Sequence, residues 1–412
     1  MNELREAAPS AGADLLDERI RELADHCAAM AGRLREIGRR LDRDPDAIVE
    51  FLDEPQVRFP VQGMLPPQYR SVGEFPARLV EASSTVLGQV VATEQVSYGD
   101  PNVLLASPGP SLSGGVVQAL ADDAQRQRYF GRLSAAPTHT FFALTEPGKG
   151  SAALELETTL TPVPGGGWLL NGVKCYIGNG ARAQLGVVFC RRAPGPWGIE
   201  AVLLDTTAPG FSGELLPTVG LRGARISRLR FQDVFVAPQD LLGAHRPPSR
   251  RGLYGATYIL YRFRPGIAAM AIGCAQAACD YLRTHRRSLP RRDGDRLDGI
   301  EDRIAAVRHR TYAVAADIDA GTVDVAAIGA VKARAARVAE DATRLVAELL
   351  GPASLLEHPW LEKVYRDVRA FELMEGTTNL HALAVFQSLL RGTGPTDRPL
   401  APERAVDGAP RH

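Results

Sequence analysis

The spacing of apolar residues divides the chain into three parts. From Leu16, apolar positions fall at 16, 20, 23, 27, 30, 34, 37 and 41. This alternation of four and three predicts one face of a long helix, packed on its own bundle rather than in a coiled coil. Residues 45–75 are broken by Pro45, Pro55, Pro60, Pro66 and Pro67 and read as short helix and loop. Helical patterning returns over 76–135, interrupted at Gly99-Asp-Pro101 and between Pro108 and Gly115. The period then changes. Phe141-Phe-Ala-Leu144, the alternating Glu155 to Thr161, and Trp168-Leu-Leu170 are strand-like, as are the runs at 187–190, 201–204, 229–231 and 234–236, all between Gly, Pro and Asp punctuation. From Leu253 the helical period resumes, with candidate helices at 254–287, 297–318, 325–350 and 362–391. The predicted fold class is α+β multidomain: an N-terminal helical domain over 1–137, a central β-barrel or sandwich domain over 138–245, and a C-terminal helical bundle over 246–395. Residues 1–14 and the Pro-, Gly- and charge-rich tail, 396–412, read as disordered.

Composition narrows the class. Hydrophobic residues make up 45% and charged residues 23% of 412, a globular balance, and a formal net charge of zero gives no reason to expect nucleic acid. Basic charge is almost all arginine, with lysine only at 149, 174, 332 and 363, which reads as coding bias. The five cysteines (27, 175, 190, 274, 279) show no paired metal spacing. With an odd count they suggest a reducing, cytoplasmic setting. The N-terminus shows no apolar h-region, and no apolar run approaches the ~18 residues of a membrane span.

Candidate chemistry centres on Phe371-Glu-Leu-Met-Glu-Gly-Thr-Thr-Asn-Leu380. Glycine and paired threonines interrupt a helical pattern here. One helix is therefore expected to end or kink beside Glu375 and another to begin about Thr378. A carboxylate so placed can be aimed into a cleft as a general base, whereas Glu372, one turn earlier, is expected to point elsewhere. Two further stretches have turn chemistry. Thr145-Glu-Pro-Gly-Lys-Gly-Ser151 leaves backbone N–H groups free to cradle an anion, and Asn171-Gly-Val-Lys-Cys-Tyr-Ile-Gly-Asn-Gly180 lies between two Asn-Gly pairs.

Taken in order, these pieces, then Gly220-Leu-Arg-Gly223, Phe231-Gln-Asp-Val-Phe-Val-Ala-Pro238, Tyr365-Arg-Asp367 and Glu375-Gly-Thr-Thr378, closely resemble the acyl-CoA dehydrogenase family over about 85–391. The resemblance implies an N-terminal helical domain, a central β-domain and a C-terminal four-helix bundle. It implies FAD held between the last two and completed by a neighbouring subunit of a homodimer or homotetramer. By position, Leu144, Thr145, Gly150 and Ser151 would meet the flavin and its pyrophosphate. Tyr176 and Gly178 stand where the family places an aromatic residue and a threonine at flavin N5. Arg286 and Ser288 match a segment that reaches the neighbour's FAD, Glu348 and Gly351 match positions around that same cofactor, and Thr377 and Asn379 lie near the adenine end. Glu375 would remove the α-proton of an acyl thioester while hydride leaves the β-carbon. Where other members carry the base just before an arginine, this chain has Phe263, and Arg264 after it is expected to serve substrate binding. Gly178, Ala152, Asp298, Glu348 and Pro352 depart from the family pattern and mark a divergent member.

The function so implied is an FAD-dependent acyl-thioester dehydrogenase, acting on CoA or acyl-carrier-protein substrates. Its electron acceptor would be an electron-transferring flavoprotein or oxygen. The alternatives are a flavin oxidase or oxygenase on the same fold, or an inactive carrier-protein-binding scaffold. Arg246, Arg250, Arg251, Arg283, Arg286, Arg287, Arg291 and Arg292 are grouped in sequence; they could receive an acidic carrier protein or CoA phosphates, or be solvated helix and loop arginines of an arginine-biased chain.

Overall fold

The computed structural model describes residues 15–150 and 153–391. The predicted first helix is two, α1 (Glu18–Ala28) and α2 (Ala31–Arg43). Cys27, Met30 and Leu34 are all buried across the break, so the apolar stripe runs through it and periodicity alone could not reveal it. Next come α3 (Pro55–Gln62), α4 (Ala77–Ala82), α5 (Val86–Gly99), α6 (Pro101–Ala106), α7 (Ser111–Leu120) and α8 (Asp123–Ala135). Prolines or capping side chains start most of them. Asp100, for example, accepts the N–H of Asn102 at 2.9 Å, with Pro101 as the first residue of α6.

The central region holds β1 (Thr140–Ala143), β2 (Thr159–Pro162), β3 (Trp168–Ile177), β4 (Leu185–Arg191), β5 (Ile199–Asp205), β6 (Phe211–Leu215), β7 (Ser227–Val236) and β8 (Leu241–Leu242). They form one sheet in the order β6-β7-β3-β2-β4-β5-β8, with β1 parallel to β4. In a flat sheet β7 and β5 would stand four strand spacings apart, roughly 19 Å. Yet Phe231 and Val234 share a core with Val188 and Val202, and the Phe141 and Phe211 rings lie 6.2 Å apart. The sheet therefore folds over on itself, like a sandwich. The other face of β4 and β5 (Val187, Phe189, Ala201, Leu203) packs on α7 and the start of the next helix, which explains why these two strands read as unbroken apolar runs.

The C-terminal region comprises α9 (Leu253–His285), α10 (Arg291–Asp319), α11 (Val325–Leu350), the short α12 (Ser354–Glu357), α13 (Pro359–Asp367) and α14 (Ala370–Leu373), and α15 (Thr378–Arg391). The helical run expected over 362–391 is broken beside Glu375, as the Gly-Thr-Thr sequence suggests, and a second time after Asp367. α9, α10, α11 and α15 make the bundle, and α5 packs against α9 and α10. Almost every turn of α5 is buried, including Glu94, which accepts from Arg308 at 2.6 Å and the Tyr312 hydroxyl at 2.9 Å. Among the described residues no helix is long and apolar enough to cross a membrane.

Candidate active site

Between α14 and α15 the backbone turns through Glu375 (φ +52°) and Gly376 (φ +101°). Glycine adopts such a conformation freely, whereas glutamate there costs of order 1–3 kcal/mol unless its surroundings hold it. Four groups hold it. Arg264 of α9 donates to the Glu375 carbonyl at 3.0 Å. Lys332 of α11 donates to the carbonyls of Glu372 at 2.8 Å and Gly376 at 2.5 Å, spanning the turn. The Glu372 carboxylate accepts the Thr378 N–H at 2.7 Å, and the Thr378 hydroxyl as well, so it caps α15. His381 packs beneath the turn, so close that a Cβ on Gly376 would lie 3.2 Å from its Nε2.

The Glu375 carboxyl group is enclosed, although the residue as a whole is only half-buried. Its Oε2 has no hydrogen-bond partner among the described residues. Burial pushes its pKa up to about 7, and the Arg264 and Lys332 cations restrain the rise. Burial also lowers Lys332 to about 8 and His381 to about 4, so His381 is neutral at physiological pH and adds no charge. Glu375, Arg264 and Thr377 were expected from the sequence, and the fold brings Glu375 and Arg264 together. Lys332 and His381 were not foreseen. Glu372 does point elsewhere, as expected, and serves as a helix cap.

A second group joins the ends of β1 and β3. The Leu144 carbonyl accepts from Lys174 at 2.9 Å, and the Thr145 carbonyl accepts the Cys175 N–H at 2.9 Å. Leu144 and Thr145 thus lie beside Tyr176, a residue that is 66% exposed and has φ +62°. An added Cβ on Gly178 meets nothing nearer than the Ala224 carbonyl at 3.7 Å, so packing does not exclude a larger residue there. Gly148 and Gly150 have positive φ with open space beside them. An exposed aromatic ring next to an uncovered glycine turn fits a flat heterocycle with an attached pyrophosphate. Ser151 and Ala152 lie outside the described residues.

The third group stands at the far end of α9. Arg286 donates to the Leu349 carbonyl at 2.9 Å, Ser288 follows it, and Gly351 ends α11 with φ +109°. Glu348 is held by Arg296 through both oxygens at 2.8 Å. Arg286 lies 22 residues beyond Arg264, about 33 Å along a helix axis. The two therefore do not line one site within a single chain. The same length divides the arginines grouped in sequence. Arg246, Arg250 and Arg251 precede α9, whereas Arg283 lies in its last turn and Arg286 to Arg292 follow its end, about 50 Å away. They are two surfaces rather than one docking face, and Arg283 is already paired with Glu301 at 2.6 Å and Asp298 at 3.0 Å.

The remaining motifs hold the framework. Lys174, fully buried, pairs with Glu146 at 2.9 Å, and Glu146 also accepts the N–H groups of Glu157 (2.6 Å) and Thr158 (2.9 Å). In the Tyr365-Arg-Asp367 segment, Arg366 grips Asp42 at 2.7 Å, and Asp367 accepts the Leu221 N–H at 2.6 Å. Asn102 donates to Asp367 at 2.9 Å and accepts the Gly223 N–H at 3.0 Å. Lys363 lies 2.6 Å from both Asp100 and Asp367. Gly220-Leu-Arg-Gly223 is therefore one jaw of a buried polar clamp that joins α6, the sheet region and α13.

Comparison with known proteins agrees with this architecture. Residues 141–234 match the model of the acyl-CoA dehydrogenase middle domain, and 250–390 match that of its C-terminal domain. The chain is 28% identical over 363 residues to a short-chain specific acyl-CoA dehydrogenase of Clostridium acetobutylicum, covering 84% of this chain and 93% of the relative. It is 30% identical over 280 residues to an acryloyl-CoA reductase (NADH) of Anaerotignum propionicum, covering 65% and 70%. Among solved structures, the prolyl acyl carrier protein oxidase AnaB shares the fold with a TM-score of 0.78 at 19% identity, over 91% of this chain and 99% of that one. With two domain models matched in order over more than half of its length, the chain belongs to the acyl-CoA dehydrogenase family.

Proposed function

We propose that the protein is an FAD-dependent acyl-thioester dehydrogenase in which Glu375 is the base. The observation that carries this reading is an enclosed carboxylate, free of hydrogen-bond partners at Oε2 and poised at about 7, on a turn fixed from both sides. A base poised near neutral pH combines a useful fraction of carboxylate with real proton affinity. Glu375 takes the proton from the carbon α to the thioester carbonyl, and Arg264 and Lys332 stabilise the carboxylate before transfer. Their contacts to the backbone hold the carboxylate's direction. FAD, when bound, supplies the acceptor for the hydride lost from the β-carbon. Leu144, Thr145, Gly150 and Tyr176 would hold it on one side and Thr377 and Asn379 on the other. Arg286, Ser288, Glu348 and Gly351 would serve a neighbouring copy.

An oligomer is supported by α15, whose Leu383, Phe386, Leu389 and Leu390 are exposed. The protein is expected to purify yellow with about one FAD per subunit, as a homodimer or homotetramer in sedimentation. Folded protein that stays colourless after incubation with FAD would remove the dehydrogenase reading. A monomer that holds FAD tightly would remove the shared site. Anaerobic bleaching of the flavin by acyl-CoA or acyl-carrier substrates tests the reaction itself.

A further inference from the structure

A cavity of about 370 Å³ lies between the segment 63–70, the start of α5, α7 and the first half of α9. Its wall includes Arg262 and Phe263, the two residues before Arg264. The lining is unusual in charge. Arg70, Arg126 and Arg262 all face it, with Gln89, Gln118 and Ser84, and no aspartate or glutamate is among the residues that line it.

The three guanidinium groups are not equally satisfied. Arg126 is tied to the exposed Asp123 at 3.0 Å. Arg70 donates to the Leu65 carbonyl at 2.9 Å and the Ser84 hydroxyl at 2.7 Å, both neutral; burial lowers its pKa, and the charge of Glu81, which does not line the cavity, opposes that. Arg262 lies 5.6 Å from the centre of the Tyr258 ring and, among the described residues, makes no hydrogen bond or ion pair. Arg262 as a residue is half-buried, and its planar fork of donors lies by an aromatic face and is without an acid among the described residues. Gathering positive charge in a concave wall is unfavourable unless an anion enters, and a guanidinium fork matches a carboxylate or phosphate.

We propose that this cavity is an oxyanion subsite, in which Arg262, supported by Arg70, receives a carboxylate or phosphate carried by the substrate. This rests on the acyl-thioester reading and extends it to the class of acyl thioester. Two sources supply the chemistry: an acyl group ending in a carboxylate, or the phosphate of a pantetheine arm. The same charge disfavours an acyl group bearing an ammonium.

The test is calorimetric binding to the FAD-loaded wild type and Arg262→Met, with glutaryl-CoA and pentanoyl-CoA as probes. The two share every phosphate and the acyl chain length, so a difference between them belongs to the terminal carboxylate. A hydrogen-bonded charge pair corresponds to roughly a 10- to 100-fold change in affinity. If the carboxylate is the ligand, glutaryl-CoA binds at least about tenfold tighter than pentanoyl-CoA, and Arg262→Met abolishes the gap. If the phosphate is the ligand, the two bind alike, the variant weakens both equally, and 4′-phosphopantetheine outcompetes pantetheine. Unchanged affinities in Arg262→Met would overturn the subsite and leave the dehydrogenase reading standing. Should neither thioester bind the wild type, that reading fails. Free glutarate and inorganic phosphate then decide the cavity: binding lost in the variant supports it, and no binding refutes it.

Discussion

Glu375→Gln is expected to slow flavin reduction by an acyl thioester by roughly 10²–10⁴-fold, the usual worth of a positioned acid–base group. The amide keeps the size and shape of the side chain and meets the same backbone conformation, φ +52°, so the turn should survive. FAD content and melting temperature should change little. The pH dependence separates loss of the base from loss of fit. The carboxyl titrates at about 7, so in the wild type the rate climbs as pH rises through that value and then levels. The glutamine variant should be slow and flat across the same range. Anaerobic stopped-flow reduction reads both. A variant that reduces its flavin at the wild-type rate would place the base elsewhere or rule out α-proton removal. Glu372→Gln does not serve as the silent partner, since Glu372 caps α15.

The second large effect is on stability. Lys363 is 2.6 Å from Asp100 and 2.6 Å from Asp367, and all three side chains are almost wholly buried. Burial raises the Asp100 pKa, with Lys363 opposing, while the two carboxylates hold the Lys363 ammonium well above its ordinary range. Lys363→Met removes the shared cation and leaves two carboxylates facing each other without solvent. Breaking a buried pair by deleting one partner costs about 3–5 kcal/mol. The urea midpoint should fall accordingly, with little change in slope. The sign with pH follows. Without the ammonium nothing opposes the burial that raises Asp100 above its unfolded value, so the loss is greatest at neutral pH and shrinks as pH falls and Asp100 protonates. Adding Asp367→Asn should recover part of the loss at pH 7. If Lys363→Met unfolds at the wild-type midpoint, the clamp contributes nothing to stability.

The α–β–α plan was legible because the apolar period changes from about 3.6 to 2 and back, and that change survives local irregularity. Breaks within a helix were not legible where the apolar stripe continues, as between Cys27 and Met30. At the site, Glu375 and Arg264 could be named from the motif order, and the helix start at Thr378 from the Gly-Thr-Thr sequence. His381 could not be named, because a lone histidine on an apolar helix face reads as core.

The few lysines carry a signal that the reading of the arginine excess as coding bias left aside. Lysine occurs at four positions against forty-four arginines, and three of the four, Lys174, Lys332 and Lys363, are buried. Each serves two or more oxygens converging at 2.5–2.9 Å. A compact ammonium can point three donors at such a spot, where a planar guanidinium cannot fit. In an arginine-rich chain, retained lysine marks those posts.

That distribution has a consequence for chemical labelling. Acylating reagents modify unprotonated, accessible amines, and three of the four lysine side chains are closed to them. Lys149 remains, paired with Glu157 at 2.8 Å on the lip of the turn between Glu146 and Gly150. Apart from the α-amino group, a reporter attached through amine chemistry therefore lands at one place, beside the glycines proposed to meet the cofactor. Among its side chains the protein thus offers one accessible lysine for following cofactor loading, without engineered cysteines.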